Sequence, residues 1–291
     1  VRPGGEDFLL AFPMTGRGNW RLIGLIRDAD ADGELTEADA GARMRERFAV
    51  TYAGSRWFAT YKVHHRVAAA FRDGPFLLAG DAAHVHSPVG GQGMNTGLQD
   101  AHNLAFKLAD VLQGRAGDAW LDRYESERRP VAKILVATTD RLFGLVTSQS
   151  LALRALRRAV VPLAAPVGVR VLPQGGGAAR FFQYVAQVRI HYWMTPDGRP
   201  GARRDPVVGR RLPWAGGNYA VLRSLQWQIH AYGGTADPAV PGLDLPVHLF
   251  PAAPHTALRP DRLYLVRPDG FVAAAAAPEA AAEVFREALS R

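Results

Sequence analysis

Hydrophobic and polar positions along this chain change period several times, and together they predict a mixed α/β protein. Residues 8–14 are an apolar run and residues 19–26 another; each reads as a strand, with Thr15-Gly16-Arg17-Gly18 as the hairpin turn between them. Residues 28–33 are acidic and read as a solvated loop. Thr36-Glu37-Ala38-Asp39 predicts a capping box, opening a short helix that ends near Phe48. Residues 55–63 predict a third strand, with Trp57, Ala59, Tyr61 and Val63 on one face. The run 76–79 follows Asp73-Gly74-Pro75 and predicts a short buried strand. Met94, Leu98, Ala101, Ala105, Leu108 and Leu112 then fall three or four apart, which predicts a helix with one apolar face and Gly114 as its stop. Further helices are expected over 118–129, 131–145 and, basic and amphipathic, 150–161. Pro162, Pro166, Pro173 and Gly175-Gly176-Gly177 mark a boundary. Beyond it, 226–232 and 245–250 read as strands, 262–272 as a hairpin turning at Pro268-Asp269-Gly270, and 278–289 as a closing helix.

Composition narrows the function classes. The chain has 291 residues, 48% hydrophobic and 21% charged, which suits a globular protein with room for two domains. It has no cysteine, so disulfides, thiolate metal sites and cysteine nucleophiles are excluded. A net charge of +8 invites a nucleic-acid reading. Yet the basic residues are scattered, and the densest group, Arg199, Arg203, Arg204, Arg210 and Arg211, has few aromatics to stack bases. No nucleic-acid partner is therefore expected, and the charge suits an anionic cofactor instead. His84 and His86 lack a third ligand at metal-binding spacing, so no metal is expected either. No secretory segment or bilayer-spanning stretch is read, so the expected location is cytoplasmic, without a membrane partner.

The chemistry concentrates in residues 75–97. Gly80-Asp81 places a carboxylate at the end of the 76–79 run, where open α/β sheets bind ligands. Pro88, Gly90, Gly91 and Gly93 then form a loop that lets a ligand approach bare backbone, and the loop feeds the start of the helix at Met94. Free N–H groups and the helix dipole there favour a negative or electron-rich atom. Met94-Asn95-Thr96 follows Gly93 where a triphosphate loop would have Lys-Ser/Thr, and the glycines miss the Gly-x-Gly-x-x-Gly spacing. The remaining candidate is a polyol carrying a flat electron-rich ring, with Asp81 accepting from its hydroxyls and the loop amides facing a ring carbonyl.

Residues 78–84 and 88–97 resemble the second flavin motif of the FAD-dependent aromatic hydroxylases, the single-component flavoprotein monooxygenases of the para-hydroxybenzoate and phenol hydroxylase type. The likeness continues through 99–109 and into Tyr124-Glu125-Ser126-Glu127-Arg128-Arg129-Pro130. It implies an α/β fold: part of a glutathione-reductase-like FAD-binding domain with a mixed substrate-domain sheet. It also implies that Asp81, beside Gly80, holds the ribityl chain, that Pro88 lies by the reactive ring edge, and that Gly90, Gly91, Gln92, Gly93, Met94 and Asn95 line the flavin. Phe12, Met14, Trp57 and Tyr61 become candidates to line an aromatic substrate, and Arg66 a candidate contact for NAD(P)H. Residues 178–291, including Val266-Arg267-Pro268-Asp269-Gly270, resemble the thioredoxin-like C-terminal domain of phenol and polyketide hydroxylases. Without Cys-x-x-Cys, that domain cannot carry dithiol chemistry, which leaves a structural role such as homodimer assembly.

The resemblance thus divides the chain into part of a substrate-binding sheet (1–70), the second flavin motif with its helices (71–177) and a thioredoxin-like domain (178–291). The family's Gly-x-Gly-x-x-Gly βαβ unit and its Asp-Gly motif are not found, so the chain reads as the C-terminal part of a longer enzyme using FAD, NAD(P)H and O₂. Two other readings stay open: a non-catalytic accessory protein, and a flavin-dependent halogenase or epoxidase.

Overall fold

A computed structural model describes residues 2–4, 7–24, 35–86, 92–147, 150, 190–192, 205–234 and 240–290. Two compact units are present, Val1–Val63 with Arg141–Val171, and His64–Asp140 with Leu172–Arg291. The helix expected over 150–161 and the boundary after it fall almost wholly outside the described residues.

In the first unit, β1 (Arg2–Gly4), β2 (Asp7–Pro13) and β3 (Trp20–Gly24) form an antiparallel sheet in that order. The β2–β3 hairpin turns where the sequence places it. Pro13 pairs with Trp20, and Gly16 and Gly18 take φ of +96° and +81°, which their missing side chains permit. Helix α1 (Glu37–Phe48) starts at the expected capping box: the Asp39 amide donates to Thr36 Oγ1 at 3.3 Å and the Thr36 amide to Asp39 Oδ2 at 3.0 Å. The strand expected over 55–63 is not formed. This stretch is irregular and pairs with no strand among the described residues, so its alternating pattern has no ladder to join.

The second unit holds two small antiparallel pairs, β4 (Arg66–Val67) with β7 (His84–Val85), and β5 (Arg72–Asp73) with β6 (Phe76–Leu77). The run 76–79 is therefore a short hairpin arm and not a buried strand. Its side chains alternate: Leu77 and Ala79 pack towards Phe71 and Tyr124, while Phe76 is 74% exposed. A single 3-10 turn, Gly80–Ala82, links β6 to β7. Helix α2 (Gly93–Leu112) follows, then α3 (Asp122–Thr147), which runs through Pro130.

The C-terminal part of this unit is a four-stranded sheet built from β8 (Gln228–Tyr232), β9 (Val247–Phe250), β10 (Leu263–Val266) and β11 (Val272–Ala276), in the order β11-β10-β8-β9. β8 and β9 are parallel; the other pairs are antiparallel. The hairpin closes at Pro268-Asp269-Gly270, with the Gly270 amide donating to the Arg267 carbonyl at 2.9 Å and Gly270 at φ +75°. Helix α4 (Ala281–Leu289) closes one face by burying Ala281 and Phe285 against Ile229, Leu263 and Leu265.

Candidate flavin site

Helix α2 is amphipathic as its sequence predicts, and among the described residues it is the polar stripe that is buried. Thr96, Asp100, Asn103, Lys107 and Asp110 form the buried stripe, joined by Phe106. The apolar stripe faces outward: Met94 is 75% exposed and Leu112 82% exposed, and Leu98 and Ala101 are exposed as well. This burial is physically tolerable because nearly every polar group in the stripe has a charged or hydrogen-bonding partner.

Two consecutive residues of α3, Glu127 and Arg128, stand at the centre of two networks. Arg128 Nε donates to Asp100 Oδ1 at 2.7 Å, and His84 Nε2 donates to Asp100 Oδ2 at 2.7 Å. Burial would raise the Asp100 carboxyl, but the His84 hydrogen bond and the Arg128 charge hold it below the usual carboxylate range. Glu127 anchors the second network. It accepts from Asn103 at 2.8 Å, from Lys107 at 2.9 Å and from both Arg267 Nη atoms at 2.8 Å. Arg267 also donates to Asp269, to which Tyr192 donates at 2.8 Å. Burial pulls the Lys107 ammonium down to about 8 against the opposing charge of Glu127. The Arg267-Pro268-Asp269-Gly270 turn is thereby locked onto α2 and α3 through buried charge.

The candidate site lies at the other end of α2. The Gly80–Ala82 turn packs on this helix, and the Gly80 amide reaches Asp100 Oδ2 at 3.4 Å. A side chain on Gly97 would meet the Gly80 Cα at 3.3 Å, so the close approach of turn and helix favours glycine there. Gly80 itself sits at φ +60°. The next residue, Asp81, presents its side chain to the exterior. α2 begins at Gly93 with no side-chain cap and no acidic residue in its first turn. Its leading amides have no intrahelical partner by geometry, and its positive end is not neutralised by its own sequence.

Of the residues expected around a flavin, Gly80, Asp81, Gly93, Met94 and Asn95 are thus gathered at one turn and one helix start, while Gln92 is buried beneath them. Pro88, Gly90 and Gly91 lie outside the described residues. Arg66 is exposed on β4, paired with Val85 of the strand that follows the Asp81 turn. Phe12, Met14, Trp57 and Tyr61 belong to the first unit, where each is exposed, Trp57 by 71%. The sequence reading missed Asp100, Glu127, Arg128 and Arg267. The available signal was the spacing of Thr96, Asp100, Asn103, Lys107 and Asp110, which is as regular as that of the apolar stripe.

An exposed acid for polyol hydroxyls, an uncapped helix start for an electron-rich carbonyl and glycine backbone at the approach are compatible with the ribityl and ring parts of FAD. Comparison with known proteins agrees. Residues 9–139 match the FAD binding domain family. The chain is 32% identical to 6-methylpretetramide 4-monooxygenase of Streptomyces rimosus, over 93% of this chain and 54% of that protein. It is 37% identical to tetracenomycin A2 monooxygenase-dioxygenase of Streptomyces glaucescens, over 79% of this chain and 44% of that protein. Among solved structures, OxyS anhydrotetracycline hydroxylase from Streptomyces rimosus superposes with a TM-score of 0.72 at 27% identity, covering 99% of this chain and 58% of that one. The chain spans about half the length of the curated relatives it matches. On this match and these likenesses, residues 9–139 carry the FAD binding domain family's pattern, and the chain is similar to monooxygenases and hydroxylases of the kind just named.

Proposed function

We propose that the protein hydroxylates an aromatic substrate of polyketide type, consuming NAD(P)H and O₂ with FAD as cofactor. The balance is one aromatic C–H, one O₂, one NAD(P)H and one proton giving one phenolic C–OH, one water and one NAD(P)⁺. Bound FAD supplies the hydride acceptance and oxygen activation; the protein supplies binding, orientation and electrostatics. One observation carries the reading: the exposed Asp81 carboxylate stands on a turn clamped to the uncapped start of α2, within the residues that match an FAD-binding domain.

In this reading Asp81 accepts hydrogen bonds from the ribityl hydroxyls. Amides at Gly93, Met94 and Asn95 face a ring carbonyl, where the helix dipole stabilises negative charge. Pro88, Gly90, Gly91 and Gln92 complete the flavin-facing loop, Arg66 meets NAD(P)H, and Phe12, Met14, Trp57 and Tyr61 line the aromatic substrate. The outward apolar stripe of α2, with Phe76, is the face we assign to an ADP-binding βαβ unit; its exposure and the greater length of the relatives support this. The division at about residues 70 and 177 belongs to the same reading. So does a thioredoxin-like C-terminal domain, supported by the β9-β8-β10-β11 order with one parallel pair and a closing helix. Its role is structural, as a homodimer contact, and NAD(P)H as reductant supports a cytoplasmic site of action.

Asp81→Ala is expected to weaken FAD binding about tenfold to a hundredfold, the effect of losing a charged-acceptor hydrogen bond. Fluorescence quenching of FAD on titration measures it, alongside NAD(P)H oxidation with and without an aromatic polyketide. An unchanged dissociation constant, or oxidation indifferent to every aromatic offered, would count against the proposal.

A further inference from the structure

We propose that Asp100 is a positioning residue for the flavin site, acting through the Gly80–Asp81 turn. The inference rests on the flavin reading above and adds to it a residue that touches no ligand. Asp100 is wholly buried one turn and more below the start of α2, with both carboxylate oxygens engaged by other elements. Oδ1 binds Arg128 of α3 at 2.7 Å, and Oδ2 binds His84 of β7 at 2.7 Å. The same Oδ2 takes the Gly80 amide at 3.4 Å. One carboxylate therefore ties together the residue before Asp81, the strand after it and the helix whose N-terminus faces the ligand.

The surroundings leave the turn little freedom. Tyr124, four residues before Arg128 on α3, donates to the Leu78 carbonyl at 2.7 Å, fixing the chain just upstream. The Phe71 ring stacks on His84 with centroids 6.2 Å apart, holding the imidazole against Asp100. Arg128 Nη2 donates to the Thr96 carbonyl at 3.4 Å, binding α3 to the first turn of α2. Gly97 closes the gap, since a side chain there would meet Gly80. Asp81 points outward from a turn whose backbone is determined from inside. Asparagine at position 100 would keep the shape but remove the charge that the buried Arg128 guanidinium requires, leaving it uncompensated.

Hydrogen–deuterium exchange on the full chain tests this without flavin. In Asp100→Asn, amides 80–85 are expected to exchange at least about tenfold faster, while those of β10 keep the wild-type rate. Equal acceleration in both regions would mean general loosening and would overturn the proposal, as would no acceleration at all. His84→Ala removes one of the two short bonds and leaves the Asp100–Arg128 pair intact; it should give the same localised pattern, smaller, and judges the proposal by the same criterion if Asp100→Asn does not fold. FAD titration then ties the turn to the ligand. Asp100→Asn should weaken FAD about tenfold when Asp81 is present and add nothing in an Asp81→Ala background. Equal weakening in both backgrounds would overturn the positioning role. An Asp81→Ala chain that binds FAD as tightly as wild type would instead sink the flavin reading itself, and with it this use of the turn, whatever the exchange pattern.

Discussion

Glu127→Ala is expected to cost about 3–5 kcal/mol of folding stability, as breaking a buried ion network from one side does. The carboxylate accepts from Asn103, Lys107 and both Arg267 nitrogens, and all of these side chains are buried. Its removal leaves two cations in the interior with Asp269 as the one carboxylate beside them among the described residues. The three-residue replacement of Glu127, Lys107 and Arg267 by Met or Leu should cost far less than the single change, because the desolvation of all three charges is relieved together. Denaturant unfolding midpoints compare the two. A single variant within about 1 kcal/mol of wild type, the scale of an exposed pair, would show that the network is solvated and weak.

The pH dependence follows the same groups. Burial would raise the Glu127 carboxyl, but Arg267 and Lys107 hold it well below its ordinary 4.5. A carboxylate depressed in the folded state contributes stability above its unfolded value and loses it as pH falls below about 4.5. Lys107 acts in the alkaline window. Its folded value of about 8 lies below 10.5, so between them the unfolded chain holds more protons and Lys107 adds stability as pH rises.

Phe71→Ala is expected to cost a similar 3–5 kcal/mol, for a different reason. The ring is fully buried, stacked on His84 and tilted against Tyr124 at 6.0 Å, and it packs with Ala83 and Ala132. Deleting it opens a cavity directly beneath the Gly80–Ala82 turn. Because the Phe71 and Arg72 amides both donate to Glu125, the backbone stays anchored and the cavity is poorly placed to collapse. Phe71→Leu should lose less, in proportion to the smaller void. Chemical denaturation reads both; a loss under about 1 kcal/mol for the alanine variant would mean that the site repacks freely.

These two results probe the part of the molecule that sequence reasoning saw least. The strands of the first hairpin, the capping box at Thr36, the Pro268-Asp269-Gly270 turn and the closing helix were legible, since each depends on local chemistry within a few residues. The strand over 55–63 was not, because alternation predicts a face and cannot supply a pairing partner. The hairpin at Phe76 was misread for a related reason: four apolar residues in a row look buried until alternation turns two of them outward.

α2 is the sharper case. Periodicity correctly predicted a helix with one apolar face; what it did not reveal is that the polar face is the buried one. A stripe of Thr96, Asp100, Asn103, Lys107 and Asp110 looks solvated unless its partners are known. Those partners, Glu127, Arg128, Arg267 and Asp269, lie up to 166 positions away in sequence. Asp81 and the glycines around it could be nominated from residue type and spacing alone, whereas Asp100 was hidden by long-range pairing.

The central claim is that the Asp81 turn and the start of α2 hold the flavin. A crystal structure of the protein with FAD bound tests it most directly. The account predicts a ribityl hydroxyl within about 3 Å of the Asp81 carboxylate and a ring carbonyl facing the amides of Gly93, Met94 and Asn95. A flavin seated elsewhere on the molecule, or one that leaves Asp81 turned to solvent, would contradict it.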